Sequence, residues 1–397
     1  MMDDGNADMS GLHVRSERRQ LNFYKPSCSH PTNDAISKPC CVIYITKLIM
    51  DYRSVFAFRC YTSSMTQAIA FFNNKGGVGK TTLACNFAAH IANTGRSVVV
   101  VDCDPQANAT QLLLDETVWS EIYEDMDSSM QRTVLRVLRH IRAGDSGIDG
   151  DVELHPSPRF NVHVLAGHPS LSNIEDRLST SWSEFRSAEL GGVRRSLWAR
   201  SLVKCIDADV IIFDLGPSLG ALNRSVLMGS TFFVTPVAAD LFSLYALENI
   251  GAWIDVWSGS YESDRKRINA TSSELEEYDI PASLPIIHGW AGYSVQQYVA
   301  KTNAGQIRQV QAYDRYRSEI PERAEGLHKF KASNANAVDL GMVPNMFSMV
   351  PLAQNAHSPI NDLTTADGVR GAQVNQQKRY VDQLNEVFSK LQANLSL

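Results

Sequence analysis

Eight consecutive residues, Lys75-Gly76-Gly77-Val78-Gly79-Lys80-Thr81-Thr82, carry the strongest chemical signal in the chain. They follow an apolar run, Ala68-Ile69-Ala70-Phe71-Phe72, and precede a helix-forming stretch from Leu83 to Ala92. Set against the pattern G-x-x-x-x-G-K-[ST], Asn74 stands where the first glycine belongs, yet the segment keeps what phosphate binding requires. Gly76, Gly77 and Gly79 let backbone N–H groups turn inward, and the following helix N-terminus adds its dipole. Lys80 would neutralise β and γ oxygens, Thr81 would offer its hydroxyl to Mg²⁺, and Thr82 would reach the α-phosphate.

Two further apolar runs end in acids. Val98-Val99-Val100-Val101 leads into Asp102-Cys103-Asp104-Pro105-Gln106, and Asp209-Val210-Ile211-Ile212-Phe213 leads into Asp214. Carboxylates at the ends of such strands lie at the carboxyl edge of a sheet, where open α/β folds bind ligands. The second run has the form of a Walker B strand, whose Asp holds Mg²⁺. Together with the phosphate loop, the two runs describe a site that hydrolyses a Mg²⁺-nucleotide.

These residues need a scaffold that brings distant segments to one edge. From Met65 onward short apolar runs alternate with helical stretches, which predicts an α/β fold, a mostly parallel twisted sheet with helices on both faces; the phosphate loop at Lys75 to Thr82 makes it of the P-loop NTPase kind. Strands are expected at 68–72, 97–101, 162–165, 210–213, 232–235 and 284–288, with another near 347–350. A helix-rich insertion is expected at about 115–160. One of its helices carries Val134, Leu135, Val137, Leu138 and Ile141 beside Arg132, Arg136, Arg139 and Arg142, a pattern that fits packing on the sheet better than a DNA-facing surface. Tyr380, Leu384, Val387, Phe388 and Leu391 form the stripe of a closing helix.

Residues 1–64 lack any sustained period and read as a poorly ordered extension, or as sequence upstream of a true start near Met65. Cys28 with His30, and Cys40 with Cys41, match no structural zinc spacing. The apolar stretch from Cys40 to Met50 is about eleven residues and contains Lys47, whereas a spanning helix needs about 20. Seven cysteines, an odd number, suggest a reducing cytosol. The 397 residues hold 37 Lys and Arg against 43 Asp and Glu, a net charge of −6, so any binding to DNA must come from a local patch or an assembled state.

The chain resembles the ParA/MinD family of deviant Walker ATPases, and the ParA (Soj-like) branch within it. The resemblance rests on Lys75 to Thr82, on Asp102 to Gln106, and on Ile211-Ile212-Phe213-Asp214-Leu215-Gly216-Pro217-Ser218-Leu219-Gly220. Val234-Thr235-Pro236-Val237 and Tyr245-Ala246-Leu247-Glu248 extend it. Leu215 replaces a common Cys, and Asp240 stands where the branch usually has Glu. The resemblance implies a ParA-like ATPase domain over 65–397 that binds ATP and Mg²⁺ and sandwiches two ATP molecules in a homodimer. Lys75 would cross to the partner's phosphates, Lys80 would bind phosphate in its own subunit, Asp104 would orient the attacking water, and Thr81, Asp104 and Asp214 would make up the Mg²⁺ site. It further implies non-specific DNA binding by the ATP dimer, a ParB-like stimulating partner and a cytoplasmic protein that joins the nucleoid when ATP-bound.

Rival readings are narrower. An iron–sulfur relative needs thiolates after the Walker B region, and no Cys follows Cys205. A membrane-positioning relative would end in a basic amphipathic tail, but from Lys378 onward there are three Lys or Arg against two acids, so no membrane partner is expected. A non-catalytic DNA-binding regulator stays open. Arg308, Arg315, Arg317, Arg323, Lys329, Lys331 and Arg370 are either a DNA patch or ordinary solvated surface.

Overall fold

The computed structural model describes residues 66–298, 300–303, 306–309 and 311–397. The extension expected at 1–64, with its cysteines, lies outside the described residues. Ten strands are described: β1 (Gln67–Phe71), β2 (Val98–Asp102), β3 (His155–Ser157), β4 (Val162–Leu165), β5 (Val210–Asp214), β6 (Phe232–Ala238), β7 (Trp290–Tyr298), β8 (Ala300–Asn303), β9 (Gln306–Gln309) and β10 (Asp339–Pro344). Eight form one sheet in the order β10-β7-β6-β1-β5-β2-β4-β3, parallel throughout except where β3 returns against β4. β8 and β9 make a separate antiparallel hairpin.

The central strands are apolar along their whole length because both faces are covered. Alternate residues feed two cores. Ala68, Ala70, Val99, Val101, Ile211 and Phe213 face one side, while Ile69, Phe71, Val98, Val100, Val210 and Ile212 face the other. The helices Glu175–Arg186, Ala221–Gly229 and Leu241–Arg265 pack on the first side, and Lys80–Ala92 and Ala372–Leu395 on the second. In the last of these, Tyr380, Leu384, Val387, Phe388 and Leu391 are buried as their spacing requires. Each contributes roughly 1.5–3 kcal/mol of apolar burial.

Register brings the chemistry to one edge. β1 pairs with β5 so that Phe71 lies beside Asp214, and β2 pairs with β5 so that Asp102 lies beside Asp214. The phosphate loop leaves β1 at that same level.

The structure corrects several expected elements. Pro285–His288 is a short 3₁₀ helix, since Pro285 lacks the N–H that a central strand must donate; the strand begins at Trp290. Residues 347–350 are no strand either: Phe347 has φ +42°, and a helix runs Met349–Asn355, the strand being β10 just before it. The insertion is broken into Glu116–Ile122, Met126–Arg132, Val134–Val137 and Arg139–Ala143, followed by β3, which its Pro156 had concealed. Three of its four arginines are paired with acids: Arg132 with Glu153, Arg136 with Asp149 and Asp151, and Arg139 with Asp149. Val134, Leu135, Val137, Leu138 and Ile141 are buried, so this segment packs on its own protein.

Candidate active site

The loop from Asn73 to Gly79 is shaped by two left-handed residues, Gly77 (φ +72°) and Gly79 (φ +74°). A Cβ costs roughly 1–2 kcal/mol in that conformation, which is why glycine stands at both. At Gly79 a Cβ would also stand 3.3 Å from Gln296 Oε1. Asn73 anchors the loop: its amide nitrogen donates to Pro236 O (2.7 Å) on β6, and its Oδ1 accepts from Lys75 N (2.9 Å). Val78 is buried under the turn.

Lys80 opens the helix and is 6% exposed, its Nζ donating to Lys75 O at 3.2 Å. Burial lowers its pKa, while the charges of Asp214 and Asp104 oppose that shift. A buried ammonium that donates to the loop's own carbonyl keeps further N–H donors for phosphate oxygens. Thr81 Oγ1 donates to Asp214 Oδ2 (2.7 Å). Asp214 is fully buried, and its Oδ1 has no hydrogen-bond partner. Burial, and next the charge of Asp102, push its pKa up to about 8.

An orphaned buried carboxylate oxygen beside a threonine hydroxyl fits a Mg²⁺ site whose shell is completed by substrate phosphates and water. Among the described residues, no three His, Cys, Asp or Glu side chains gather into a metal cage. The phosphates themselves would therefore supply part of the shell.

Asp104 is 6% exposed on the loop after β2, its Oδ1 accepting from Gln106 N at 3.0 Å. Gly216 lets it approach the Walker B loop, since a Cβ there would stand 3.0 Å from Asp104 Oδ1. Asp102 was not expected as a site residue, yet it organises this loop. Its carboxylate accepts from Thr110 N (2.8 Å), Thr110 Oγ1 (2.7 Å) and Asp104 N (3.2 Å). Burial pushes its pKa up to about 6, partly offset by those bonds.

Lys75 lies at the loop's entrance, and its Nζ pairs with Asp240 of its own chain. Asp240 also caps the helix Leu241–Arg265 by accepting from Phe242 N (3.0 Å) and Ser243 N (3.1 Å). The residue that departs from the usual Glu is thus the one that holds Lys75. Leu241, Phe242 and Tyr245, on the first turns of that helix, are exposed.

Beside Gly77, Gly79 and Thr82 opens a cavity of about 250 Å³ walled by Val343, Pro344, Met346 and Val350, with the amides of Gln296 and Asn345 at its side. An apolar slot next to the α-phosphate position, carrying two amides, suits a nucleobase. Nothing in the local sequence marks it, because its walls come from β7, from the end of β10 and from the segment that follows β10.

Of the late basic residues, Arg323 pairs with Glu248, Lys329 with Asp255 and Arg315 with Glu319. The side chain of Arg308 lies outside the described part. These pairs leave the reading of solvated surface for three of the seven. No helix among the described residues is long and apolar enough to cross a membrane.

A parallel sheet with a glycine-rich phosphate loop leaving β1 and acids at the ends of β2 and β5 defines a P-loop NTPase fold. Residues 66–264 match the family model described as an AAA domain. The chain is 30% identical to the cell division protein PomZ of Myxococcus xanthus over 180 residues, 45% of this chain and 48% of that protein. It is also 30% identical to the chromosome-partitioning ATPase Soj of Thermus thermophilus over 187 residues, 47% of this chain and 61% of Soj. The chain thus spans about half to two-thirds of the curated relatives it matches. Among solved structures, protein DIP2308 of Corynebacterium diphtheriae is 33% identical with TM-score 0.66, covering 83% of this chain and 99% of that one. The McdA–ATP complex of Cyanothece shares the fold, with TM-score 0.54 at 13% identity over 84% of this chain and 98% of McdA. The chain belongs to the ParA/MinD family of deviant Walker P-loop ATPases.

Proposed function

We propose that this protein hydrolyses ATP to ADP and phosphate as an ATP-dependent homodimer, and that the dimer binds DNA non-specifically as a partitioning or positioning switch. The observation that carries the reading is the convergence of Lys80, Thr81, Asp104 and Asp214 around one phosphate loop.

Each side chain has a separable task. The loop N–H groups and Lys80 bind the phosphate oxygens, and the low exposure of Lys80 strengthens that attraction. Thr81 and Asp214 would hold Mg²⁺, which when bound neutralises charge on the β and γ oxygens. Asp104 orients a water in line with the γ-phosphorus and accepts a hydrogen bond from it. Lys75 leaves Asp240 and reaches the triphosphate bound by the partner subunit, where its charge stabilises the departing phosphoryl group. Relatives named as partitioning and cell-division proteins support the switch role, and a ParB-like partner would then raise the rate of turnover.

Co-sedimentation with random-sequence DNA in ATP, in ADP and without nucleotide tests the reading. Retention in ATP alone, weakening steeply with salt, is the expected result. Equal retention in all three would replace the switch with a constitutive DNA-binding regulator.

A further inference from the structure

The helix Ala221–Gly229 begins just after the loop that follows β5, and its third residue turns back onto that loop. Asn223 is 2% exposed. Its Nδ2 donates to Gly216 O (2.8 Å), Ser218 O (2.8 Å) and Ser218 Oγ (3.2 Å). Two N–H groups thus serve three acceptors, which an ionised Asp could not do because it donates nothing. Ser218 Oγ in turn accepts from Gly220 N (3.3 Å).

The loop held in this way lies between two parts of the candidate site. At one end, a Cβ on Gly216 would stand 3.0 Å from Asp104 Oδ1 and 3.6 Å from Pro105 Cδ, so the Gly216 backbone is the wall on which the Asp104 carboxylate rests. Next to it the Pro217 ring lies against the phosphate loop, 3.6 Å from where a Cβ of Gly76 would be. A loop displaced here either crowds Asp104 or leaves it unsupported. Misplacement of a reacting group by about 1 Å can cost on the order of 10²-fold in rate.

The clamp is mounted on a fixed element. Glu175 Oε2 accepts from Leu222 N (3.1 Å) at the helix start, and Trp198 Nε1 donates to Ser225 Oγ (2.7 Å) further along. The Arg224 guanidinium lies over the Trp182 ring, 4.7 Å from its centroid. A side chain carried on a braced helix sets its partners more closely than one carried on a loop.

We infer that Asn223 is a positioning residue for hydrolysis: by holding Gly216 and Ser218 it fixes the place of the Asp104 carboxylate. It acts through the loop and on turnover, while phosphate binding belongs to Lys80 and Thr81 on the helix Lys80–Ala92. The effect on turnover rests on the ATPase reading; the hold on the loop does not.

The test uses the full chain and two readouts. In steady-state ATP hydrolysis, Asn223→Ala should lower kcat about tenfold or more and leave KM within a few-fold of the parent's. Ser225→Ala, two residues along the same helix, takes the partner from Trp198 Nε1 and should lower the melting temperature while kcat stays near the parent's. In hydrogen exchange on the nucleotide-free chain, peptides covering 214–220 and 103–107 should exchange faster in Asn223→Ala and not in Ser225→Ala. Asn223→Ser, which keeps one donor, serves the same comparison where the Ala variant does not fold. Parent-like kcat in Asn223→Ala, an equal loss of kcat in Ser225→Ala, or unchanged exchange of both peptides would each overturn the positioning role. A parent chain without hydrolysis would remove the ATPase reading instead, and the exchange comparison would still decide whether Asn223 holds the loop.

Discussion

Lys75 and Asp240, 165 residues apart in sequence, join the first residue of the phosphate loop to the N-cap of the helix Leu241–Arg265. The pair is partly exposed, so its worth to stability is small, about 0–1 kcal/mol. Its position matters more than its strength. Before Lys75 can serve a facing subunit it must leave Asp240, and the exposed Phe242 and Tyr245 lie on the same helix.

The two ends of this pair should therefore give opposite phenotypes. Asn caps helices as well as Asp does, so Asp240→Asn keeps the helix start while removing the charge that holds Lys75. Light scattering in ATP should show more dimer for Asp240→Asn than for the parent, and none for Lys75→Ala. Both measurements belong in an Asp104→Ala background that slows turnover. Dimer formation by Lys75→Ala would end the cross-subunit role.

Phosphate binding and water orientation should come apart by mutation. Lys80→Ala leaves the loop without its buried cation and should abolish ATP binding in calorimetry. Asp104→Ala should bind ATP within a few-fold of the parent and lower kcat by about 10²–10³. Unchanged hydrolysis by Asp104→Ala would transfer the water-positioning task to another group.

Much of this site was readable in sequence because it is local. Lys75 to Thr82 is contiguous, and each acid ends an apolar strand, so residue order alone sets them at one sheet edge. What escaped depends on segments meeting from afar. Asp240 was visible only as a departure from a pattern; its contact with Lys75 required β1 and β6 to be neighbours. The base cavity needs β7 and β10 in register, and Leu284-Pro285-Ile286-Ile287, just before β7, is as apolar as a strand. Period alone cannot tell a short apolar 3₁₀ turn from a strand.

Gly167 offers a test of the support behind Asp104. A Cβ at this position would lie 2.9 Å from Asp102 Cγ and 3.0 Å from Asp102 O, too close for either to stay. Gly167→Ala should destabilise the fold by about 1–3 kcal/mol through overpacking. Because Asp102 bonds Thr110 and the N–H of Asp104, kcat should fall as well. Thr81 lies on the helix Lys80–Ala92 and Asp214 on β5, away from Gly167, so ATP affinity should hold within a few-fold. Loss of stability with unaltered kcat would show that Asp102 has no bearing on catalysis.

The pH dependence of stability follows from Asp214. Its folded pKa of about 8 lies above the unfolded carboxylate value of about 4. Between those values the folded state holds a proton that the unfolded chain has released, so stability falls as pH rises through this window. The stabilisation is complete below about pH 4 and gone above about pH 8. Asp102, at about 6, adds a smaller slope of the same sign in the lower half. Metal binding runs the other way, since it requires the ionised carboxylate and becomes tighter as pH rises. Without nucleotide, the melting temperature should drop by several degrees from pH 6 to pH 9, and Mg²⁺ with ATP should offset that drop most at the alkaline end. Asp214→Asn keeps an oxygen for the Thr81 hydroxyl but cannot titrate, so its profile should be flatter and its response to Mg²⁺ lost. A parent-like slope in Asp214→Asn would place the titration elsewhere.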